Sequence, residues 1–216
     1  ITIPLLGEPL RRQVTVAYLL FRIADTLEDA DLLKRDARLR MLQRFGALLG
    51  GDTPHPSALA HFVADCAAAP PSSNADYAEL LHETAHVLDA LHDVGDEPSA
   101  AIRRHLSRTT ELMGAFVSRG DERGTLALRD LADLKAYCYA VAGIVGEMLT
   151  VLVVNAEPSL EPVRERLETD AIAFGEALQL TNILRDSSAD AQVGRTYLPA
   201  TVDRVDVFAL AEEDLS

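Results

Sequence analysis

Two acidic runs carry the chemistry-bearing residues of this chain: Asp25-Thr-Leu-Glu28-Asp29 and Asp186-Ser-Ser-Ala-Asp190. Each places two aspartates at i and i+4, so a helix would present both carboxylates on one face. Each also follows a strongly apolar stretch. Two such pairs on facing helices form a cage of hard oxygen donors, with the Asn182 amide one turn before Asp186. Mg²⁺ prefers such donors and commonly bridges protein carboxylates to substrate phosphates. Arg22 precedes the first run by a turn, and Arg185 and Arg195 flank the second. Guanidinium groups hold phosphate oxygens in bidentate fashion and stay charged. The combination points to ionisation of a diphosphate ester.

Helices must position these groups. Between Leu10 and Asp29, Val16, Leu20, Ile23 and Leu27 follow helical spacing and predict a core face. Val14, Tyr18, Arg22, Asp25 and Asp29 run along the opposite side, a stripe that begins apolar and turns polar, as a cavity wall inside a bundle would. The acids fall near the expected helix C-terminus, where they oppose the macrodipole and a bound cation would relieve them. In the second segment Gly175, Gln179, Asn182 and Asp186 form the polar stripe, continued by Asp190 if the helix persists. A third segment, Tyr137-Cys-Tyr-Ala-Val-Ala-Gly143-Ile-Val-Gly146, is unusual for two glycines inside an apolar helix. Each costs about 0.5–1 kcal/mol relative to Ala, which implies close backbone packing or room for a ligand. Tyr137 has an apolar body and a hydroxyl tip suited to lining such a space.

The remaining chain reads as helices separated by breakers. Amphipathic or apolar tracts span 31–49, 56–69, 76–94, 99–118, 126–154 and 161–186. Residues 186–199 read as a loop or fraying helix end, and a weak helix follows. No stretch alternates as a strand would, so the expected architecture is one all-α domain, 1–216. With 216 residues a sizeable core is available. A net charge of −14 argues against nucleic acid as a partner. Cys66 and Cys138 lie in apolar helical context and read as buried free thiols, which leans towards a cytoplasmic protein. The stretch Val141 to Val154 contains Glu147 and is too short to span a bilayer, so it reads as a core helix.

Taken together, the segments resemble the squalene/phytoene synthase family. The matching pieces are Tyr18-Leu-Leu-Phe-Arg22-Ile-Ala-Asp25-Thr-Leu-Glu28-Asp29, the Tyr137–Gly146 segment, Gln179-Leu-Thr-Asn182-Ile-Leu-Arg185-Asp186, and the tail Gly194-Arg195-Thr-Tyr-Leu-Pro199. The resemblance implies an isoprenoid synthase-type helical bundle around a central cavity, and head-to-head coupling of two prenyl diphosphates. It implies Mg²⁺ ligands among Asp25, Glu28, Asp29, Asn182, Asp186 and Asp190. Substrate contacts fall on Tyr18, Arg22, Gln179, Arg185 and Arg195, and Tyr137 is tied to the first half-reaction. The spacing Asp-Thr-x-Glu-Asp resembles the squalene branch, whose second step consumes NADPH; phytoene or dehydrosqualene would be the products without it. The lipid product suggests peripheral membrane contact. Ala189 departs from the family pattern, which commonly has Glu there. The N-terminal substrate-binding segment and the C-terminal helices of the family fold are expected to lie outside this chain.

One rival motif competes. His82-Glu83-Thr-Ala-His86 is a literal H-E-x-x-H, with His92 beyond it, and would place a zinc metalloprotease on that helix. Asp89 stands where a turning Gly is needed, and on a continuous helix His92 would point about 80° from His82 and about 120° from His86. A third reading is an isoprenoid-binding subunit that keeps the fold without turnover.

Overall fold

The computed structural model describes residues 3–30, 32–51, 55–123, 125–126, 128–192 and 196–215, with the side chains of 188–192 left aside. Among them the chain is helical and has no strand. Its helices are α1 (Leu10–Glu28), α2 (Arg35–Leu48), α3 (Pro56–Ala68), α4 (Ala75–His82), α5 (Thr84–His92), α6 (Asp96–Ser118), α7 (Leu131–Cys138), α8 (Ile144–Ala156), α9 (Arg164–Gln192) and α10 (Arg204–Asp214). A π-helical segment, Tyr139–Gly143, joins α7 to α8.

Helix α1 lies at the centre of one core. Its expected apolar face is buried, with Leu20, Ile23 and Leu27 fully excluded from solvent, against α2, α5, α6 and α8. Each such side chain stabilises the fold by about 1.5–3 kcal/mol. A second core gathers Phe116, Leu134, Tyr137, Leu180, Ile183 and Val207, from α6, α7, α9 and α10. Val141 packs against both cores, so the π segment lies where they meet.

Local chemistry accounts for several helix starts. Asn74 Oδ1 accepts from the backbone of Asp76 and Tyr77 at the start of α4, and Asp130 caps α7 through the Asp133 amide at 2.8 Å. These are the N-cap roles of Asn and Asp. Gly95, at φ 99°, takes a left-handed conformation just before α6 that side-chain-bearing residues rarely adopt.

Two of the expected helical tracts are divided. The 76–94 tract is two helices, because the chain turns at Glu83 while the Thr84 hydroxyl donates to the Leu81 carbonyl at 2.7 Å. The 126–154 tract is α7, the π segment and α8. Helix α9 continues to Gln192, so the beginning of the stretch read as a loop or fraying helix end is the end of a helix. The whole run Leu131–Ala156 is long and apolar enough to cross a membrane by length and composition, yet 61% of its most apolar window is buried inside the bundle. Cys66 and Cys138 are free and buried.

Gly146 and Gly175 serve close packing. A Cβ on Gly146 would meet the Ala171 carbonyl oxygen at 2.3 Å, and one on Gly175 would meet the Ala142 carbonyl oxygen at 2.6 Å. The backbones of α8 and of the π segment therefore pack directly onto α9. That crossing sets α9 in place, and with it the second acidic run.

Candidate active site

The end of α1 and the distal half of α9 face one cavity of about 420 Å³. Arg22, Asp25, Glu28 and Asp29 line it from α1. Gln179, Asn182, Ile183, Arg185 and Asp186 line it from α9, and Tyr137, Val141 and Tyr197 complete the wall. The acids of the first run and Asp186 of the second thus face a common space. Tyr18 is 49% exposed and lies outside this lining. Asp190 sits one turn beyond Asp186 on the α9 backbone, but its side chain and Arg195 lie outside the described residues.

Each acid in the cavity has a protein donor nearby. Tyr137 donates its hydroxyl to Glu28 Oε1 at 3.4 Å, and Tyr197 donates to Asp29 Oδ1 at 3.1 Å. The two phenol rings stack with centroids 5.6 Å apart, and Phe116 packs edge-on against Tyr137 at 5.3 Å. Arg185 grips Asp186 in bidentate fashion at 2.8 and 2.7 Å. Arg22 lies 3.7 Å from Asp25 and donates to the Tyr77 hydroxyl of α4, with its guanidinium 4.6 Å over the Tyr77 ring.

The electrostatics follow from this crowding. Burial, then the Asp29 carboxylate, push the Asp25 carboxyl up to about 7 against the pull of Arg22. Burial and the surrounding acids hold the Tyr137 phenol well above its ordinary value, so it keeps its proton and acts as a donor. The Arg185 guanidinium lowers Asp186 below the usual carboxylate range.

Four carboxylates and the Asn182 amide surround a space that contains two guanidinium groups. Such a set of hard oxygens, with negative charge in excess, suits Mg²⁺ bound together with an anionic ligand. Among the described residues no three Asp, Glu, His or Cys side chains already converge as a metal site. The chemistry of the donor set fits the ion, with phosphate oxygens left to supply the rest.

Tyr197 and Tyr77 are site residues that the sequence reading did not single out. Tyr197 stands within the quoted Gly194–Pro199 tail, so its segment carried a signal. Tyr77 lies on an ordinary amphipathic helix, and nothing in its spacing marks it. The H-E-x-x-H run does not make a site: Glu83 separates α4 from α5, His82 and His86 are both exposed, and His86 Nδ1 is paired with Glu83. The zinc reading required one continuous helix, and the turn at Glu83 removes it.

Residues 1–215 match the family model described as squalene/phytoene synthase. Phytoene synthase 1, chloroplastic, of Arabidopsis thaliana is 45% identical over 83 residues, 38% of this chain and 19% of the relative. The phytoene synthase of Arthrospira platensis is 45% identical over 89 residues, 38% of this chain and 28% of the relative. Two solved complexes of TcSQS superpose on 99% of this chain: the BPH1237 complex with a TM-score of 0.71 at 28% identity, and the E5700 complex with 0.72 at 29%. The chain spans 60% of the length of those solved chains.

Proposed function

The chain belongs to the squalene/phytoene synthase family, and from that membership we propose that it couples two allylic prenyl diphosphates head to head at the α1–α9 cavity. The observation that carries this reading is the convergence of Asp25, Glu28 and Asp29 with Asn182 and Asp186 on one cavity that also holds Arg22, Arg185 and Tyr137.

Asp25, Glu28, Asp29, Asn182 and Asp186 would hold the metal, with Asp190 as a further ligand. Mg²⁺ supplies Lewis-acid stabilisation of the departing diphosphate when bound. Arg22 and Arg185 add fixed positive charge where negative charge develops on that leaving group. Gln179, Arg195 and Tyr18 would add the further substrate contacts that the family pattern implies.

Coupling joins C1 of one allylic cation to the double bond of the second substrate. Loss of a proton then closes a cyclopropane, giving presqualene diphosphate where the substrates are farnesyl diphosphate. The Tyr137 hydroxyl, a donor to Glu28, is placed to hydrogen-bond the leaving diphosphate. Tyr137 or the released diphosphate would assist the loss of the proton, which leaves on the diphosphate. Val141 and Ile183 are the apolar residues of an otherwise polar lining, and they would face the cation, which water must not reach if it is not to be trapped as an alcohol.

Two product readings follow from different observations. The Asp25-Thr-Leu-Glu28-Asp29 spacing and the likeness to TcSQS favour squalene, with NADPH supplying the final hydride. The relatives named phytoene synthases favour a second step without reduction, to phytoene or dehydrosqualene. Incubation with farnesyl or geranylgeranyl diphosphate and Mg²⁺, with and without NADPH, separates them by the hydrocarbon extracted. Squalene only with NADPH supports the first. A conjugated hydrocarbon without NADPH supports the second. No consumption of either diphosphate defeats both and leaves a prenyl-diphosphate-binding subunit.

A further inference from the structure

Glu147 is a carboxylate in the middle of an apolar helix, with only 10% of its side chain exposed. A charge so placed costs several kcal/mol unless it is paired and hydrogen-bonded. Here it is both. Arg108 of α6 donates to Glu147 Oε2 at 2.6 Å, and the Tyr139 hydroxyl donates to Glu147 Oε1 at 2.5 Å. Arg108 also donates to the Tyr139 hydroxyl and lies 5.5 Å over its ring. His105 Nε2 stands 3.8 Å away; burial lowers its pKa first of all, so it adds no compensating charge at neutral pH. Burial and then the bond to Glu147 push the Tyr139 phenol up to about 12, which keeps it a donor. None of these four residues lines the α1–α9 cavity.

The network holds one particular stretch of backbone. Tyr139 opens the π segment, and its ring lies so close over Gly143 that a Cβ there would strike Tyr139 Cδ2 at 2.7 Å. Tyr137 stands two residues earlier and Val141 two residues later, and both line the cavity. A π turn re-registers the helix locally, and such turns recur at functional sites. Tyr139 therefore anchors the outer side of a segment whose inner side carries Tyr137 and Val141.

We propose that Tyr139, Glu147 and Arg108 are positioning residues that fix the π segment and so aim the Tyr137 hydroxyl at Glu28. This rests on the reading of Tyr137 as a substrate-contacting donor. The three residues touch no substrate themselves and act through the placement of Tyr137. Hydrogen-bonded buried networks of this kind tolerate few alternative geometries, which is what a group held within about 0.5 Å of its working position requires.

The test uses the whole chain carrying 3-fluorotyrosine, whose five tyrosines give five fluorine resonances, with the Tyr137 signal assigned through Tyr137→Phe. Tyr139→Phe and Glu147→Gln should each move the Tyr137 signal in the substrate-free protein, while Arg104→Ala, on the exposed face of α6, leaves it in place. With substrate, Tyr139→Phe should lower kcat at least tenfold with KM within twofold, since diphosphate binding by the arginines is untouched. Should Tyr139→Phe fail to fold, Arg108→Ala removes a half-exposed arm of the network and should move the same signal to a smaller degree. A Tyr137 signal unmoved in every folded variant overturns the proposal, whether or not activity falls. A wild-type chain without turnover would defeat the proposed function, and the fluorine spectra would still decide the positioning claim.

Discussion

The Tyr197 hydroxyl donates to Asp29 Oδ1 at 3.1 Å, tying the segment after α9 to the end of α1. The same ring stacks on Tyr137 at a centroid distance of 5.6 Å. The phenols of Tyr137 and Tyr197 thus reach neighbouring acids of one run, Glu28 and Asp29, from two separate parts of the chain.

Tyr197→Phe keeps the stacked ring and removes only the hydroxyl. Stability should fall by about 0.5–1.5 kcal/mol, the net worth of one hydrogen bond. Urea unfolding at neutral pH reads this directly. Tyr197→Ala, which also removes the ring, should fall further.

Gly146 and Gly114 should respond oppositely to the same substitution. Gly146→Ala improves helix propensity but drives a Cβ to 2.3 Å from the Ala171 carbonyl oxygen, a backbone atom that cannot rotate away. Overpacking of this kind costs about 1–3 kcal/mol. A Cβ on Gly114, in α6, meets nothing within 4 Å, so Gly114→Ala should stabilise the protein by about 0.4–1 kcal/mol. Thermal melts of the two variants check the signs.

Asp133 predicts an acid-sensitive contribution to stability. It is buried, and burial alone would raise its pKa. Arg119 grips it at 2.9 and 2.8 Å, and with Arg129 it holds the carboxyl well below the usual carboxylate range. A group depressed on folding stabilises above its unfolded pKa, near 4, and loses that contribution as pH falls below it. Urea midpoints of the wild type should therefore drop between pH 5 and pH 2 more steeply than those of Asp133→Asn. At pH 7, Asp133→Ala should cost about 1–3 kcal/mol, the loss of charge-assisted hydrogen bonds, because Arg119 and Arg129 are exposed enough to be solvated once it is gone.

The site was legible where side chains repeat on a helical face. The spacing of Val16, Leu20, Ile23 and Leu27 revealed the core side of α1, and that of Arg22, Asp25 and Asp29 its cavity side, because a 3.6-residue period relates spacing to direction; Val14, read with the second stripe, packs against the core instead, and Tyr18 lies outside the lining. The Gly175–Gln179–Asn182–Asp186 line did the same for α9. Elements set by tertiary contacts were not legible. The turn at Glu83 is accompanied by a Thr84 hydroxyl bond to the Leu81 carbonyl, which spacing does not show. The π segment coincides with a close crossing of α9 and a buried carboxylate on α8. Spacing showed that Gly143 and Gly146 were exceptional; only the packing showed that Gly146 admits the backbone of α9 and Gly143 the ring of Tyr139. Tyr77 gave no signal because its partner Arg22 is 55 residues distant.

The central claim is that the acids of α1 and α9 act together on a metal-bound diphosphate. Titration calorimetry with inorganic diphosphate, with and without Mg²⁺, tests it most directly on the wild type, Asp25→Ala and Asp186→Ala. The account predicts binding that requires Mg²⁺ and weakens at least tenfold in both variants, since each removes a ligand from one of the two facing helices. Binding that is indifferent to Mg²⁺, or that survives loss of either aspartate, would contradict it.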